Sequence, residues 1–336
     1  MISDFQAFRL HQDEQGFRAN VETVSPDVLP AGGVLLRVLY SGVNYKDGLA
    51  SLPDGKIVNQ YPFTPGIDLA GIVAESADER FKPGDRVLCT GYGLGVSHPG
   101  GYAEYASVPG DWLVPLPAGL TPLEAMAIGT AGFTAALSVE RLLAGGLTPE
   151  SGPVLVAGAT GGVGSMAVAI LARLGFKVTA GTGKPGEAEL LRRLGAAEIA
   201  SREELAAGAG KGALGQQLWA GVVDPVGGSF TAGLLKNVKY GGSAALSGMT
   251  GGGKLETSVF PFILRGVNLF GIDSVYCPMP LRRQLWEKLA GAWKPEAALS
   301  EAITIHPLAE LPEALKIVLA GKAVGRQVIK LAQDFE

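Results

Sequence analysis

Short runs in which apolar and polar residues alternate dominate the first 120 positions. Residues 34–40 (VLLRVLY), 69–75 and 86–90 read as strands, with Gly, Pro and Asp between them. The intervening segment 81–87 (FKPGDRV) reads as a turn: Pro83 fixes φ, Gly84 permits positive φ, and Asp85 can bond neighbouring backbone. Such spacing predicts an all-β, partly barrel-like domain. The pattern changes near Thr121. Residues 122–128 and 132–143 read as helices, and after Pro153 strands begin to alternate with helices. Strands are expected at 154–158, 177–181, 222–224 and 243–248, and helices at 163–174 and 187–194. This alternation predicts an α/β fold with a doubly wound parallel sheet. A polar helix at 281–288 and the segment 302–330 look unlike the middle of the chain and are expected to return to the first domain. Residues 206–215 read as a small flexible loop.

Composition narrows this picture. At 336 residues the chain exceeds the size at which one core stops growing, so two domains are expected. The 49 glycines show no collagen-like period and cluster in turns such as GATGGVG. A net charge of −4 offers no broad attraction to nucleic acid or anionic lipid. Cys89 and Cys277 have no metal-ligand spacing. A reduced cytosolic pair is the simpler reading, with a disulfide left open. No secretory leader and no run of roughly 18 apolar residues is visible, which points to a soluble cytoplasmic protein.

The candidate chemistry starts at the glycine-rich turn. A strand, VLVAG, runs into Ala159-Thr160-Gly161-Gly162-Val163-Gly164 and then into an apolar helix. Gly161 would let backbone N–H groups approach a pyrophosphate, and Gly164 would let the helix lie close on the strand. The helix N-terminus adds partial positive charge. A dinucleotide site is therefore expected at Thr160, Gly161, Gly162, Val163 and Gly164. The end of the next strand carries Thr182-Gly183-Lys184 in place of the Asp or Glu that usually accepts from the ribose 2′-OH of NAD. A hydroxyl, an open backbone and a cation suit a 2′-phosphate, so the cofactor is expected to be NADPH.

Several ordered motifs carry a resemblance across nearly the whole chain. NYKDGL at 44–49, PGID at 65–68, GDWL at 110–113, GTAGFTA at 129–135, GATGGVG, PFILR at 261–265 and GIDS at 271–274 resemble the acrylyl-CoA reductase and quinone oxidoreductase (YhdH/YhfP-like) branch of the zinc-free medium-chain dehydrogenase/reductase superfamily. The resemblance implies a GroES-like, partly open β-barrel catalytic domain at 1–124 and 266–336, around a Rossmann NADP-binding domain at 125–265, with NADPH in the cleft between them. It also implies a homodimer formed through edge strands, which would use residues 267–272. Zinc members of the superfamily place Cys where this chain has Asn44 and His where it has Ile67, with a third ligand near Thr130 and Ala131. These residues ligate zinc poorly or not at all, so metal-free chemistry is expected.

Without a metal to polarise a carbonyl, hydride transfer to an activated C=C bond is the expected reaction. The substrate implied is a small 2-enoyl-CoA, acrylyl-CoA first among them, with a quinone as the alternative. Tyr45 is a candidate proton donor or cofactor contact, or else a packing residue. Asn44 either orients a carboxamide or substrate carbonyl or caps the helix that follows. Lys46 is a weaker candidate, Asp47 reads as a local cap, and Asp68 as a structural partner for a cation. His98 is a minor catalytic candidate, and His11 and His306 read as surface or packing residues. By resemblance, Leu246, Ser247, Ser274 and Arg326 are further cofactor contacts. Arg265 reads equally well as a salt-bridge residue.

Overall fold

The computed structural model describes residues 2–208, 210 and 212–332, which form two compact units. The first comprises the chain up to Thr130, then Val275–Ala290, and again from Ile303 onward; the second comprises Ala131–Ser274 and Gly291–Ala302. The expected boundary at 266 thus moves to 275, and 291–302 leaves the first unit for the second.

The first unit opens with strands β1 (Phe5–Asp13) and β2 (Gly16–Val24), paired as an antiparallel hairpin. There follow β3 (Val34–Val43), a short helix α1 (Tyr45–Ala50), β4 (Asp68–Ser76), β5 (Arg86–Thr90), β6 (Tyr105–Val108) and β7 (Val114–Pro115). The 81–87 turn forms as expected: Gly84 has φ +96° and the Asp85 carboxylate accepts from the Lys82 N–H at 2.8 Å. Inward-facing Leu36, Val38, Leu69, Val73 and Val87 build one core with Phe8, Leu10 and Tyr102.

Helix α2 (Pro122–Ala144) carries the chain into the second unit. The two helices expected there are one element broken at Gly129, whose φ of 49° and ψ of −158° interrupt it. By length and composition this helix could cross a membrane, yet 83% of its apolar window is buried inside the protein.

The second unit continues with β8 (Val154–Val156), α3 (Gly162–Arg173), β9 (Val178–Thr182), α4 (Ala188–Arg193), β10 (Glu198–Ser201) and α5 (Arg202–Gly208). It ends with β11 (Trp219–Asp224), α6 (Gly228–Leu235), β12 (Val238–Leu246), α7 (Phe260–Arg265) and β13 (Asn268–Gly271). These strands form one parallel sheet in the order β10-β9-β8-β11-β12-β13. Every residue of β8 and β11 is buried, as a sheet covered on both faces requires. The order places the switch point at β8, where ligands bind beyond the carboxyl ends of the strands. Most of the expected 206–215 loop is in place, with 206–208 completing α5; Ala209 and Lys211 lie outside the described residues.

Helix α8 (Met279–Ala290) belongs to the first unit and α9 (Glu296–Glu301) to the second. Strand β14 (Ile303–Pro307), helix α10 (Leu311–Leu319) and strand β15 (Arg326–Lys330) complete the first. Its seven-stranded sheet runs β14-β15-β3-β4-β5-β7, with β6 also paired to β3. Cys89 and Cys277 are both free and buried, which closes the disulfide alternative.

Candidate functional site

In the second unit the glycine-rich turn joins β8 to α3 as its sequence requires. Gly158 has φ +56°, and Gly161 is the N-cap residue of α3. A Cβ at Gly164 would lie 2.3 Å from the Gly158 carbonyl oxygen and 2.7 Å from Ala159 Cα, so only glycine lets helix and turn approach this closely. Gly161, Gly162 and Val163 are half-buried, leaving the first turn of α3 reachable. Its N–H groups have no intrahelical acceptor and suit an anion.

The end of β9 lies beside this turn. Thr160 and Thr182 are buried with their hydroxyls 3.4 Å apart, and Thr182 Oγ1 accepts from the Lys184 N–H at 3.0 Å. Partial burial lowers the Lys184 ammonium, with Glu187 opposing. Gly183 is exposed, and a Cβ there would stand 3.2 Å from the Arg202 guanidinium. Arg202 was not among the expected residues. It opens α5 immediately after β10, and that short strand has no clear apolar pattern, so nothing in the sequence positioned the arginine beside Gly183.

Leu246 closes β12, and the Ser247 N–H donates to the Asp224 carbonyl at 2.9 Å. The Ser247 hydroxyl is buried without a hydrogen-bond partner among the described residues. That orphaned group, the glycine cradle and the cations beside Gly183 fit a dinucleotide. Ser274 is half-buried three residues beyond β13. Asp224 is another residue the sequence reading missed. Fully buried, its carboxylate accepts from the Val226 N–H at 2.7 Å, the Gly227 N–H at 3.2 Å and the Thr231 hydroxyl. It thereby holds Val226 against Gly158, where a Cβ would meet Val226 Cγ2 at 3.2 Å.

The first unit buries a polar cluster beneath α1. Tyr45 begins that helix and is 41% exposed, so it is not a core residue. Lys46 is half-buried. The Asp47 carboxylate caps α1 by accepting from the Asn44 N–H at 2.9 Å, and also accepts from the Ile67 N–H at 2.9 Å. Burial first, and neighbouring Asp68 second, push its pKa up to about 7. Asn44 turns its side chain inward: Nδ2 donates to Asp68 Oδ2 at 2.8 Å and Oδ1 accepts from Arg326 Nη1 at 3.2 Å. Thr130 donates to Asp68 twice, through N–H at 2.9 Å and Oγ1 at 2.5 Å.

Arg326 corrects an expectation. In place of an accessible cofactor contact, it is buried at 3% exposure and donates to the carbonyls of Ala127 at 2.8 Å and Val43 at 3.0 Å. Its Nη2 lies 3.8 Å from Asp68 Oδ2, which makes it the cation expected for Asp68. Arg265 also differs from a salt-bridge residue: it donates to the carbonyls of Gly215, Lys236 and Val238. His98 bonds the Pro99 carbonyl at 2.9 Å and sets its ring edge on Trp112, and burial lowers its pKa. His11 pairs with Glu22, and His306 with Glu310 and Gln327.

Matches to known proteins agree with this geometry. Residues 30–118 match the alcohol dehydrogenase GroES-like domain, and residues 162–290 match the zinc-binding dehydrogenase family. A Bacillus subtilis relative whose name marks it provisionally as a quinone oxidoreductase, YhfP, is 53% identical over 98% of this chain and 100% of its own. This chain belongs to the medium-chain dehydrogenase/reductase superfamily. The acrylyl-CoA reductase AcuI of Ruegeria pomeroyi is 49% identical, covering 97% of this chain and 98% of its own. The crystal structure of Bacillus subtilis yhfP with NAD bound superposes with a TM-score of 0.95 at 52% identity, over 98% of this chain and 100% of that one. The yhdH oxidoreductase from Salmonella enterica in complex with NADP gives 0.93 at 44%, over 97% and 100%. The chain is accordingly an oxidoreductase of this superfamily that uses a nicotinamide cofactor. Despite the family model's description, its residues do not fit zinc. Ile67 has no donor atom, Asn44 is already bonded at both ends of its amide, and no group of three His, Cys, Asp or Glu is gathered among the described residues.

Proposed function

We propose that this protein reduces the activated C=C bond of a small 2-enoyl-CoA, acrylyl-CoA to propionyl-CoA, with NADPH and without a metal. The observation that carries the cofactor choice is the end of β9, where Thr182, Gly183, Lys184 and the neighbouring Arg202 offer two cations and the strand end itself carries no carboxylate, the Glu187 side chain lying beside Lys184. A 2′-phosphate gains charge-assisted hydrogen bonds there, whereas a ribose hydroxyl meets no acceptor side chain of the usual kind. The pyrophosphate is assigned to Thr160 and Gly161–Gly164, and the nicotinamide end to Leu246, Ser247 and Ser274. The substrate follows from the likeness to AcuI.

Bound NADPH supplies a hydride to Cβ of the alkene. The electron pair of the C=C bond moves toward the thioester carbonyl, and a proton then adds at Cα. The chain's task is to stabilise the developing oxyanion and to deliver that proton. Asn44 is assigned the oxyanion contact and Tyr45, exposed at the start of α1, the proton or a cofactor contact. The likeness to YhfP supports a second reading, reduction of a quinone by the same hydride.

The homodimer expected from the resemblance has a suitable surface. Strand β13 is an open edge of the second unit's sheet, and Val259, Phe260, Ile263 and Leu264 are exposed just before it on and around α7. A two-fold axis beside β13 would pair the strand with its own copy and bury this apolar group. Two buried free thiols support a reducing compartment, the cytoplasm.

Purified protein with NADPH and acrylyl-CoA should lose absorbance at the nicotinamide band and form propionyl-CoA. Consumption with quinones alone would transfer the assignment to the second reading. Replacing Lys184 and Arg202 together by Ala should weaken NADPH binding about ten- to a hundredfold while leaving NADH binding unchanged. An equal loss for both cofactors would overturn the 2′-phosphate assignment.

A further inference from the structure

The Asn44 side chain has four hydrogen-bonding positions, two N–H donors and two lone pairs on oxygen. One N–H goes to Asp68 Oδ2 at 2.8 Å, and one lone pair takes a proton from Arg326 Nη1 at 3.2 Å. An acid on one end and a cation on the other settle which end is nitrogen, and they lock the amide against rotation. The α1 capping box also uses the side-chain oxygen as an acceptor for the Asp47 backbone N–H, and among the described residues the second amide N–H remains.

Nothing about this arrangement is cheap. Asp68 is fully buried and Arg326 nearly so, and among the described residues Arg326 Nη2 has no hydrogen-bond partner, although it lies only 3.8 Å from Asp68. Taking both ions out of water costs several kcal/mol each, and apolar residues of the same volume often stabilise a core as well or better. Room for the pair also depends on two missing side chains. A Cβ at Gly42 would lie 2.8 Å from Arg326 Nη2 and 2.9 Å from Asp68 Oδ2. One at Gly129 would lie 2.5 Å from Asp68 Oδ2 and 2.9 Å from Nη2. Thr130 adds two further donors to Asp68; these and Arg326 favour its carboxylate form against the burial that pushes its pKa up.

We infer that Asp68 and Arg326 are positioning residues acting through Asn44. The guanidinium draws electron density from the amide oxygen and sharpens the remaining N–H as a donor. Asp68 fixes the direction in which that N–H points. The polarised N–H is the preorganised contact for a carbonyl oxygen that becomes negative during hydride transfer. The inference rests on the proposed reductase activity, and it assigns to an internal ion pair the task of holding a neutral donor in one direction.

A double-mutant cycle tests it. Asp68→Asn should lower kcat about ten- to a hundredfold, with the KM for NADPH unchanged. In an Asn44→Ala background the same change should cost nothing further, because the residue through which Asp68 acts is gone. Losses that multiply across the two sites, or an unchanged kcat in Asp68→Asn, would overturn the inference. Should Asp68→Asn not fold, Thr130→Val removes one donor to the carboxylate and should show the same coupling at a severalfold level, with Thr130→Ser restoring the rate. Wild-type protein that oxidises NADPH with neither acrylyl-CoA nor any quinone would refute the activity itself. The pair would then be read from the Asn44 amide protons by NMR. They should resonate separately in the wild type and move in Asp68→Asn, and signals that do not move would refute the positioning role.

Discussion

Asp47 shows how far one residue's chemistry departs from its sequence context. Its capping role was legible, since Asn44-Tyr45-Lys46-Asp47 sets a carboxylate three residues after a helix start. Its titration was not, because the burial and the Asp68 neighbour responsible come from a strand over twenty positions away. The pKa rises from 3.8 to about 7 on folding, so the folded state holds this proton more tightly than the unfolded chain. Its contribution to stability is therefore full below about pH 4 and is lost as pH rises toward 7, levelling off above. Denaturant titrations from pH 4 to 8 should show the wild type losing a few kcal/mol relative to Asp47→Asn across that window. A pH-independent difference would contradict the assignment. Arg326 teaches the complementary lesson. The sequence exposed a cation in a plausible place, but burial gave that cation to Asp68 and to two backbone carbonyls.

Among the elements, those with strong periodicity or a clear turn were legible: β3, β4, β5, α3, β9 and the two halves of α2. Strand β10 and helices α5 and α6 were not. Residues 198–201 are half-buried or exposed at a sheet edge and carry no apolar alternation, and the helices are short and rich in small residues. Missing β10 also concealed Arg202, which follows it. The break in α2 was visible as the gap between the helices expected at 122–128 and 132–143. Its cause is that Gly129 adopts a backbone region closed to side chains while facing Asp68 Oδ2 at 2.5 Å from a would-be Cβ. Gly129→Ala should therefore destabilise the protein by about 2–5 kcal/mol, combining backbone strain with overpacking. Chemical denaturation measures this, and a loss below about 1 kcal/mol would show that the kink relaxes freely.

At the scale of the whole molecule, two units and their fold classes were readable from the switch between alternating and helical periods. Their borders were not. The 266 boundary missed that β13 must pair with β12, and residues 291–302 carry no pattern that separates them from their flanks. The proposed dimer belongs to this scale. Ile263 is 68% and Leu264 56% exposed, so replacing both by Asp should leave each unit's core intact while opposing self-association. Sedimentation velocity should find a dimer for the wild type and a monomer for the variant. A monomeric wild type would remove the proposal.

The position of β15 has a further consequence, in the order in which the chain is made. The second unit's sheet is encoded between Val154 and Gly271, so all six of its strands leave the ribosome together and ahead of the chain's last helices. The first unit's sheet cannot close in that order. β15 sits between β14 and β3, yet it follows every other strand in the chain, and it carries Arg326. Until it arrives, β3 has an open edge and Asp68 has no counter-ion. The strands of the second unit's sheet are thus all synthesised before β15, while the unit bearing Asn44 and Tyr45 waits on its latest strand for both a sheet and a charge.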